Sequence, residues 1–261
     1  MIRSLFTAAS GLSAQQANVD VISNNLSNVN TTGFKRFRAN FEDLFYQQLR
    51  AVGTNSDQNT LTPSGIQVGL GTRVASTQMV HNQGSLQSTE RELDIAIEGR
   101  GFLRVTLPDG TNAYTRAGNL SLDANGTIVT TSGFPLEGNF TIGTDHANIS
   151  IGADGLIQYT VPGNPAPQGN FQLTTSTFLN PEGLETIGGN LFLETSSSGT
   201  PTTGNPGDSG RGLIRQAFLE GSNVDLAREL VNLIIGQRAY EVNSRAIEAS
   251  DEMLQTLVNL R

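Results

Sequence analysis

The two ends of this chain carry the periodicity of long amphipathic helices, and no other feature constrains the fold as strongly. Across residues 223–260 the seam positions advance by alternating steps of four and three, and no proline interrupts them. This repeat of 3.5 residues predicts a helix with a coiled-coil-like seam. The seam comprises Leu226, Leu230, Leu233, Gln237, Tyr240, Ser244, Ile247, Asp251, Leu254 and Val258. We expect a cap at Ser222 or Asn223 to begin this helix.

A second helix is predicted over about residues 3–30, and we expect Gly33 to end it. Its apolar stripe is narrow and padded with alanine. The stripe comprises Leu5, Ala8 or Ala9, Leu12, Val19, Ile22, Leu26 and Val29. Each helix buries only one stripe, and a helix without tertiary partners is marginal in water. We therefore expect the two ends to stay incomplete until they cover each other or until neighbouring molecules cover them.

Short amides are concentrated on these same helices, although asparagine is a poor helix former. Amides donate and accept hydrogen bonds to several neighbours without the desolvation cost of a charge. We therefore predict that they make contacts between subunits in a crowded bundle. The amides in question are Asn24, Asn25, Asn28, Gln237 and Asn243.

The middle of the chain predicts β structure. Short alternating segments are separated by the turn pairs Asp109-Gly110, Asn125-Gly126 and Asp154-Gly155, which favour tight hairpins. The fold class is therefore predicted as α+β, with terminal helices forming a coiled-coil-like core and a mainly antiparallel β central domain. We divide the chain into a helical core (1–33 and 223–261), an extended connecting region (34–90 and 196–222) and a β-rich domain (91–195). Within the connecting region, 51–72 is expected to be irregular.

Composition excludes several classes of function. The absence of cysteine rules out disulfides and thiolate metal sites. The net charge of −8 argues against nucleic acid as a partner. No apolar run approaches the ~18 residues of a membrane span, so we expect no membrane insertion. The first residues resemble a signal peptide only superficially, because Thr7, Ser10, Gly11 and Ser13 break the apolar run.

Catalytic constellations are also missing from the sequence. His81 and His146 have no companions at metal-ligand spacing, so we interpret them as solvated or turn histidines. The DANGT stretch beginning at Asp123 lacks the glycine and the closing glutamate of a calcium loop, because Ile128 and Phe134 occupy those positions. No phosphate-binding or nucleophile motif is present. We predict neither an enzyme nor a bound cofactor or metal.

Three stretches resemble the flagellar rod and hook axial proteins. SNNLSNVNTTGFK (residues 23–35), including Gly33 and Phe34, resembles their N-terminal signature. The stretch from SNVD through QRAYEVNS to DEML near the other end is similar to their C-terminal signature. ELDIAIEGRGFLRVTLPDGTNAYTRAGNLSLDANGTIV resembles their shared β domain. The resemblance spans nearly the full chain and has both terminal motifs in the right order.

The resemblance implies a structural subunit that polymerises into a helical tube and passes torque from the motor to the hook. The length of the chain and an insert over about 46–74 favour the distal rod among these proteins, because the insert resembles one that stiffens the distal rod. Its marked residues are Tyr46, Gly53, Pro63, Gly65 and Gly69. The implied partners are further copies, proximal rod proteins, hook protein, the surrounding periplasmic and outer-membrane ring proteins and the flagellar export apparatus. The implied location is the basal body, spanning the periplasm, after export without a cleaved signal.

Two alternatives remain open from the sequence. The chain resembles hook and proximal rod subunits as well, because these share both terminal signatures. A secreted β-rich adhesive module whose helices merely dimerise belongs to a different class. The sparse aromatic residues of the β region, Tyr114, Phe134, Phe140 and Tyr159, do not require such a binding face.

Overall fold

The computed structural model describes residues 2–51, 55–57, 60–61, 64–138, 140–143 and 145–259. Two long helices, α1 (Ile2–Ser27) and α2 (Leu226–Asn259), bracket a series of strands that pair antiparallel wherever their register is defined. The predicted α+β class is therefore confirmed. The chain divides into two compact units. The first contains the described residues of 1–27, 37–78 and 225–261, and the second those of 28–36 and 79–224. The three-part division made from composition stays a prediction.

In the first unit, α1 and α2 pack side by side in opposite directions. Ser4 Oγ lies 3.4 Å from Ser250 Oγ near one end of the pair. Towards the other end, a Cβ placed on Gly236 would lie 3.2 Å from Cγ2 of Val19. Near the middle, a Cβ on Gly11 would lie only 3.0 Å from the Asn243 amide nitrogen. The helices thus approach closely because small residues occupy the contact.

The helix ends differ from the predicted ones. Asp225 caps α2, because its side chain accepts a hydrogen bond from the Arg228 N–H at 3.2 Å. The predicted cap at Ser222 or Asn223 is wrong. At the other end of the chain, α1 stops at Ser27, well before Gly33. Asn28 begins a turn there, with its carbonyl accepting from the Thr31 N–H at 3.1 Å and its side chain accepting from the Thr31 hydroxyl at 3.1 Å.

The first unit also contains a series of paired strands. They are β1 (Phe37–Asp43), β2 (Tyr46–Arg50), β3 (Asn55–Asp57), β4 (Thr60–Leu61), β5 (Ile66–Gly69) and β6 (Thr72–Met79). β1 pairs with β6, β2 with β5, and β3 with β4. The irregular structure predicted for 51–72 is therefore wrong at β3, β4 and β5. Every residue of β2 is exposed, so the sequence carries no alternating burial pattern from which this ribbon could be inferred.

The second unit is built from β-strands. Its early strands are β7 (Leu86–Ser88), β8 (Ile95–Glu98), β9 (Phe102–Thr106), β10 (Asn112–Thr115), β11 (Leu120–Leu122), β12 (Ile128–Thr130), β13 (Asn148–Ile151) and β14 (Leu156–Val161). Its later strands are β15 (Asn164–Gln172), β16 (Thr175–Thr177), β17 (Glu185–Gly188), β18 (Leu191–Leu193), β19 (Thr202–Gly204), β20 (Leu213–Gln216) and β21 (Phe218–Glu220). Short 3-10 turns occur at Pro181–Gly183 and Asp208–Gly210.

The largest sheet of this unit has six strands in the order β17-β18-β10-β9-β16-β19. Strands β13, β14 and β15 form a second sheet, and β11-β12, β20-β8 and β21-β7 are antiparallel pairs. The three predicted turn pairs are confirmed, since they connect β9 to β10, β11 to β12 and β13 to β14. One core holds these strands together. Its fully buried members include Ile95, Ile97, Leu103, Val105, Leu120, Ile128, Leu136, Ile142 and Ile157.

Candidate assembly site

The N-terminal half of α2 exposes an apolar stripe. We call this stripe the outer face; it comprises Leu226, Leu230, Val231, Ile234, Ile235 and Val242, whose exposed fractions run from 42% to 65%. The positions facing α1 are instead small or polar, as at Gly236, Asn243 and Ser250. The helix therefore directs most of its large apolar side chains away from its own partner. Full burial of such a side chain contributes ~1.5–3 kcal/mol, and about half of that remains to be gained at each of these half-exposed positions. The outer face is therefore a candidate assembly surface.

The predicted seam of α2 lies partly on the covered side of the helix and partly on its exposed side. Leu233, Ser244, Ile247 and Leu254 are half-buried, while Leu226, Leu230, Gln237 and Tyr240 are exposed. Asn243, predicted as an amide contact, is half-buried as well. The heptad seam predicted from the sequence did not include Val231, Ile234, Ile235 and Val242, because they lie outside its two apolar positions. The nearly continuous apolar run LVNLII, residues 230–235, could have indicated a wider apolar face. The role of the seam in subunit contacts stays a prediction.

On α1, the predicted residues lie mostly on the covered side. Ile22 is buried, and Leu12, Val19 and Leu26 are half-buried. The large exposed side chain of this helix is Phe6, at 70% exposure, which the sequence reading did not single out. Asn24 is exposed and Asn28 is half-buried in the turn that ends the helix.

Asn25 has a role inside the first unit. Its amide nitrogen donates to the Phe37 carbonyl at 2.8 Å, and its amide oxygen accepts from the Phe37 N–H at 2.8 Å. Only 1% of the residue is exposed. A single side chain therefore satisfies both backbone groups at the start of β1, which explains why an asparagine occupies the last turn of α1.

The Gly-Phe-Lys part of the N-terminal signature lies in the second unit. Gly33 has φ +71°, and a Cβ on it would lie 2.8 Å from the Ala117 backbone nitrogen. Its N–H donates to the Glu220 carbonyl at 2.8 Å. Phe34 is half-buried, and its carbonyl accepts from the Asn223 N–H at 3.4 Å. This signature therefore specifies a tight internal crossing of chain segments.

Lys35 is the single lysine of the chain, and it lies in a buried ion cluster with Arg116 and Glu220. Lys35 Nζ lies 2.6 Å from Glu220 Oε1, and Arg116 Nε lies 2.6 Å from Glu220 Oε2. Lys35 also donates to the Asn82 carbonyl at 2.8 Å. Arg116 donates to the carbonyls of Gly101, Gly99 and Ile97. With so many partners, the three charges satisfy the condition under which burial of ions is tolerated.

The protonation of this cluster follows from its charges. Burial raises the pKa of Glu220, but the charges of Arg116 and Lys35 outweigh that effect and hold it below its usual value. Burial lowers the pKa of Lys35, and the attraction of Glu220 only partly opposes this. The sequence gives no sign that these residues form a cluster, because 185 positions separate Lys35 from Glu220.

Asn223 ties the same segment to its neighbours. Its amide oxygen accepts from the Arg36 N–H at 2.8 Å, while its amide nitrogen donates to the Val80 and Asn82 carbonyls at 2.8 and 3.0 Å. This use explains why Asn223 is not the cap of α2. One amide thereby joins Arg36, just before β1, to residues 80–82, which follow β6.

The residues predicted to form the stiffening insert lie partly in the ribbon of β2 and β5 and partly outside the described residues. Tyr46 lies in β2 opposite Gly69 of β5, where a Cβ would meet the tyrosine ring at 3.4 Å. Gly65 is half-buried before β5. Gly53 and Pro63 lie outside the described residues. Phe45, which the sequence analysis did not mark, is 90% exposed beside Tyr46.

The two histidines occupy different surroundings. The interpretation of His81 as solvated or in a turn is wrong, because its ring packs edge-on against Phe102 and Phe192 at 5.7 and 6.1 Å. His146 Nδ1 lies 2.9 Å from the Gly143 carbonyl, as in a turn. Within the described ranges, no group of three metal-ligating side chains converges. Neither described helix has a stretch that is long and apolar enough to cross a bilayer.

Comparisons with known proteins agree with the terminal signatures. The family model "Flagella basal body rod protein" matches residues 5–35. "Flagellar hook protein FlgE/F/G D1 domain" matches residues 96–159, and "Flagellar basal body rod FlgEFG protein C-terminal" matches residues 215–260. Together these matches define the class as the hook and rod proteins of the flagellum.

Curated relatives narrow the class. A flagellar basal-body rod protein FlgG of Buchnera aphidicola subsp. Schizaphis graminum is 50% identical over the whole of both chains. The FlgG of Buchnera aphidicola subsp. Acyrthosiphon pisum is also 50% identical over both full lengths. The FlgG of Borreliella burgdorferi is 49% identical over all of this chain and 99% of its own. This chain belongs to the family of flagellar basal-body rod proteins FlgG.

Proposed function

We propose that this chain is a subunit of the distal rod that polymerises into a rigid helical tube and transmits motor torque to the hook. The observation that carries this proposal is the full-length similarity to FlgG rod proteins, at about half of all positions. The exposed outer face of α2 supports it physically, because six large apolar side chains on one helix need a covering surface.

A second copy is the natural cover for the outer face. We propose that a different surface of the second copy covers this face, so that the contact runs head to tail. Such a contact generates an open filament when the rotation does not close into a ring. We propose that the paired helices form the coiled-coil-like core of this filament, with the α1–α2 contact inside each subunit and the outer faces between subunits. The helical, connecting and β-rich regions predicted from composition would then form successive layers from the axis outwards.

The insert is proposed to stiffen the filament. Its ribbon of β2 and β5 exposes Phe45, Tyr46, Leu49 and Ile66, at 48% to 90% of their surfaces. A paired ribbon resists bending better than a flexible loop, and its exposed apolar residues give neighbouring copies a second contact. This favours a straight rod over a curved polymer.

The remaining partners follow from this role. We propose that proximal rod proteins and hook protein abut the two ends of the tube and that ring proteins surround it. The subunit would reach its place in the periplasm through the flagellar export apparatus without a cleaved signal. The role calls for neither nucleic acid nor membrane insertion, and it requires no cofactor or catalysis.

Electron microscopy of polymers grown from the purified chain tests the proposal. Wild-type subunits should form straight tubes, and Leu230→Asp should abolish them because it places a charge in the buried contact. Thr256→Asp, at an exposed polar position of α2 outside the outer face, is the matched control and should still assemble. Curved wild-type polymers would reject the distal rod in favour of a hook-like subunit. Normal tubes from Leu230→Asp would exclude the outer face from assembly.

A further inference from the structure

A cavity of about 300 Å³ opens in the second unit beside the buried ion cluster. One part of its wall is apolar and aromatic, formed by Phe102, Phe178, Leu179 and Pro181. The other part is polar and carries Lys35, His81, Arg100, Arg116 and Glu182. A cavity with both kinds of wall suits an occupant that has an apolar group next to a polar one.

The charges around the cavity are unbalanced. Glu220 is shared by Lys35 and Arg116, so the buried ion cluster keeps one formal positive charge. Arg100 adds a second positive charge and makes no ion pair within the described part of the chain. Glu182 offsets one of these two charges. The walls therefore carry a surplus of one positive charge, which favours a carboxylate on the occupant.

His81 supplies a hydrogen-bonding group to the same wall. Both of its ring nitrogens are buried. The Pro181 carbonyl faces the ring, but neither nitrogen makes a well-aligned hydrogen bond to a described residue. Burial, with a smaller effect of the Lys35 ammonium, lowers the pKa of His81 to about 4, so the ring is neutral at pH 7. A neutral imidazole keeps one N–H donor, and a buried donor without a partner is costly. A carboxylate or carbonyl oxygen from the occupant would satisfy it.

The rim of the cavity is exposed and apolar. Leu179 is 97% exposed, whereas Phe178 beside it packs edge-on against Tyr114 and Phe102, at 4.8 and 5.8 Å. The adjacent residues thus divide their roles, with Phe178 supporting the wall and Leu179 projecting into solvent. An exposed leucine at the mouth of a charged cavity indicates a surface that another chain covers.

The chain itself carries a segment of complementary chemistry at residues 42–46. Phe45 is 90% exposed there, two positions after the exposed Asp43. Glu42 is already paired with Arg73, and the nearby Asp43 carboxylate raises the pKa of the Tyr46 hydroxyl. A carboxylate accepts several hydrogen bonds, so Asp43 keeps capacity for a further donor.

We propose that the cavity beside Leu179 is a docking site for a second copy of this chain, whose Phe45 packs against the aromatic wall while its Asp43 faces Arg100 and His81. This docking rests on the proposed function, because it requires that copies polymerise. It assigns the insert ribbon a specific receiving surface on the β-rich unit of its neighbour. It also gives Arg100 a carboxylate partner, whereas no described residue of its own chain forms an ion pair with it.

Cysteine crosslinking tests the contact directly, because the natural chain has no cysteine. The double variant Phe45→Cys with Leu179→Cys should give a ladder of disulfide-linked oligomers when assembled tubes are oxidised. The matched control is Phe45→Cys with Leu213→Cys, since Leu213 is an exposed leucine of the same unit outside the cavity wall. An equal ladder in both variants, or none in the first, would overturn the docking.

Charge exchange provides a second test. Arg100→Glu and Asp43→Arg should each raise the subunit concentration needed for assembly about tenfold, the effect of losing one close charge pair. The combination of both should restore assembly. If each single variant assembles like wild type, a partner other than a second copy occupies the cavity and the proposal fails.

The same assay separates this proposal from the proposed function. Loss of tubes with Leu230→Asp, combined with normal assembly of Arg100→Glu and Asp43→Arg, would reject the docking alone. Normal tubes from Leu230→Asp would reject the outer face of α2. If Arg100→Glu unfolds at a lower urea concentration than wild type, loss of stability could explain its loss of assembly. Cysteine crosslinking then tests the docking, because neither Phe45→Cys nor Leu179→Cys removes a charge.

Discussion

Lys35 Nζ lies 2.6 Å from Glu220 Oε1, and Glu220 Oε2 lies 2.6 Å from Arg116 Nε. The single lysine of the chain is therefore buried inside the second unit, which we also call the β-rich unit. Lys35 is 2% exposed there and Glu220 is 0% exposed. The pair connects Lys35, the last residue of the N-terminal signature, with Glu220 at the end of β21.

We predict that Glu220→Gln lowers the free energy of unfolding of this unit by about 3 kcal/mol, because it leaves two buried cations without their anion. Urea unfolding followed by circular dichroism measures the change. Glu98→Gln is the matched control, since Glu98 forms a similar pair with Arg215 at 2.6 Å but both side chains are about half exposed. That variant should lose less than about 1 kcal/mol. Equal losses would mean that burial of the cluster is irrelevant.

We predict that His81 makes the β-rich unit less stable in acid. Burial lowers its folded pKa to about 4, below the ordinary 6.5, so the unfolded chain binds the proton more tightly. The stability contributed by neutral His81 is therefore fully present above pH 6.5 and is lost as the pH falls to 4. Lys35 and Arg116 oppose the protonated ring, while Glu182 and the Pro181 carbonyl favour it.

Urea unfolding at pH 7, 5.5 and 4 measures this effect, which amounts to about 3 kcal/mol over the window. His81→Phe should remove much of the decrease in the free energy of unfolding between pH 7 and pH 4. His146→Gln, which changes a turn histidine, should keep it. An unchanged slope in His81→Phe would assign the acid sensitivity to other groups, among which Glu220 contributes at lower pH because its pKa is held down.

We predict that Gly33→Ala destabilises the β-rich unit by more than 2 kcal/mol. The new Cβ would combine the strain of φ +71° with an approach of 2.8 Å to the Ala117 backbone. Gly110→Ala is the control, because Gly110 has φ +82° with nothing within 4 Å of its Cβ position. It should cost only about 1–2 kcal/mol of conformational strain. Thermal unfolding of both variants tests whether contact adds to strain.

We predict different outcomes for two adjacent asparagines. Asn25→Ala should lower the stability of the first unit by about 1–3 kcal/mol, since it leaves the N–H and carbonyl of Phe37 without their partner. Asn24→Ala, at an exposed position, should change unfolding little and is the proper test of the amide contacts predicted between subunits. Hydrogen exchange at the Phe37 amide should accelerate in the first variant and remain slow in the second.

We predict that deletion of residues 51–65 leaves a polymer that is more flexible or more curved. The deletion removes β3 and β4 and the part of the insert that joins β2 to β5, so the exposed ribbon loses its continuity. Persistence length measured from electron micrographs is the readout. Straight tubes of wild-type stiffness would reject the stiffening role while leaving polymerisation itself intact.

Local features were readable from the sequence. The two helices follow from their 3.5-residue and 3.6-residue periodicities, and the turns at Asp109-Gly110, Asn125-Gly126 and Asp154-Gly155 follow from residues that tolerate positive φ. These features depend on interactions among neighbours in the chain. The flagellar resemblance likewise depends on contiguous motifs, and the comparisons confirm it. The insert ribbon could not be predicted in the same way, because β2 is exposed along its whole length and β5 has no alternating burial pattern.

The sequence by itself determined the α+β composition, the helical ends and membership in the rod and hook class, because each is encoded within short windows. Tertiary structure alone decided which side of α2 stays uncovered, that Asn25 bonds the start of β1, and that Lys35, Arg116 and Glu220 share one buried site. Those outcomes join residues separated by up to 185 positions. Burial and charge pairing act through space, so their partners became visible only once the chain had folded.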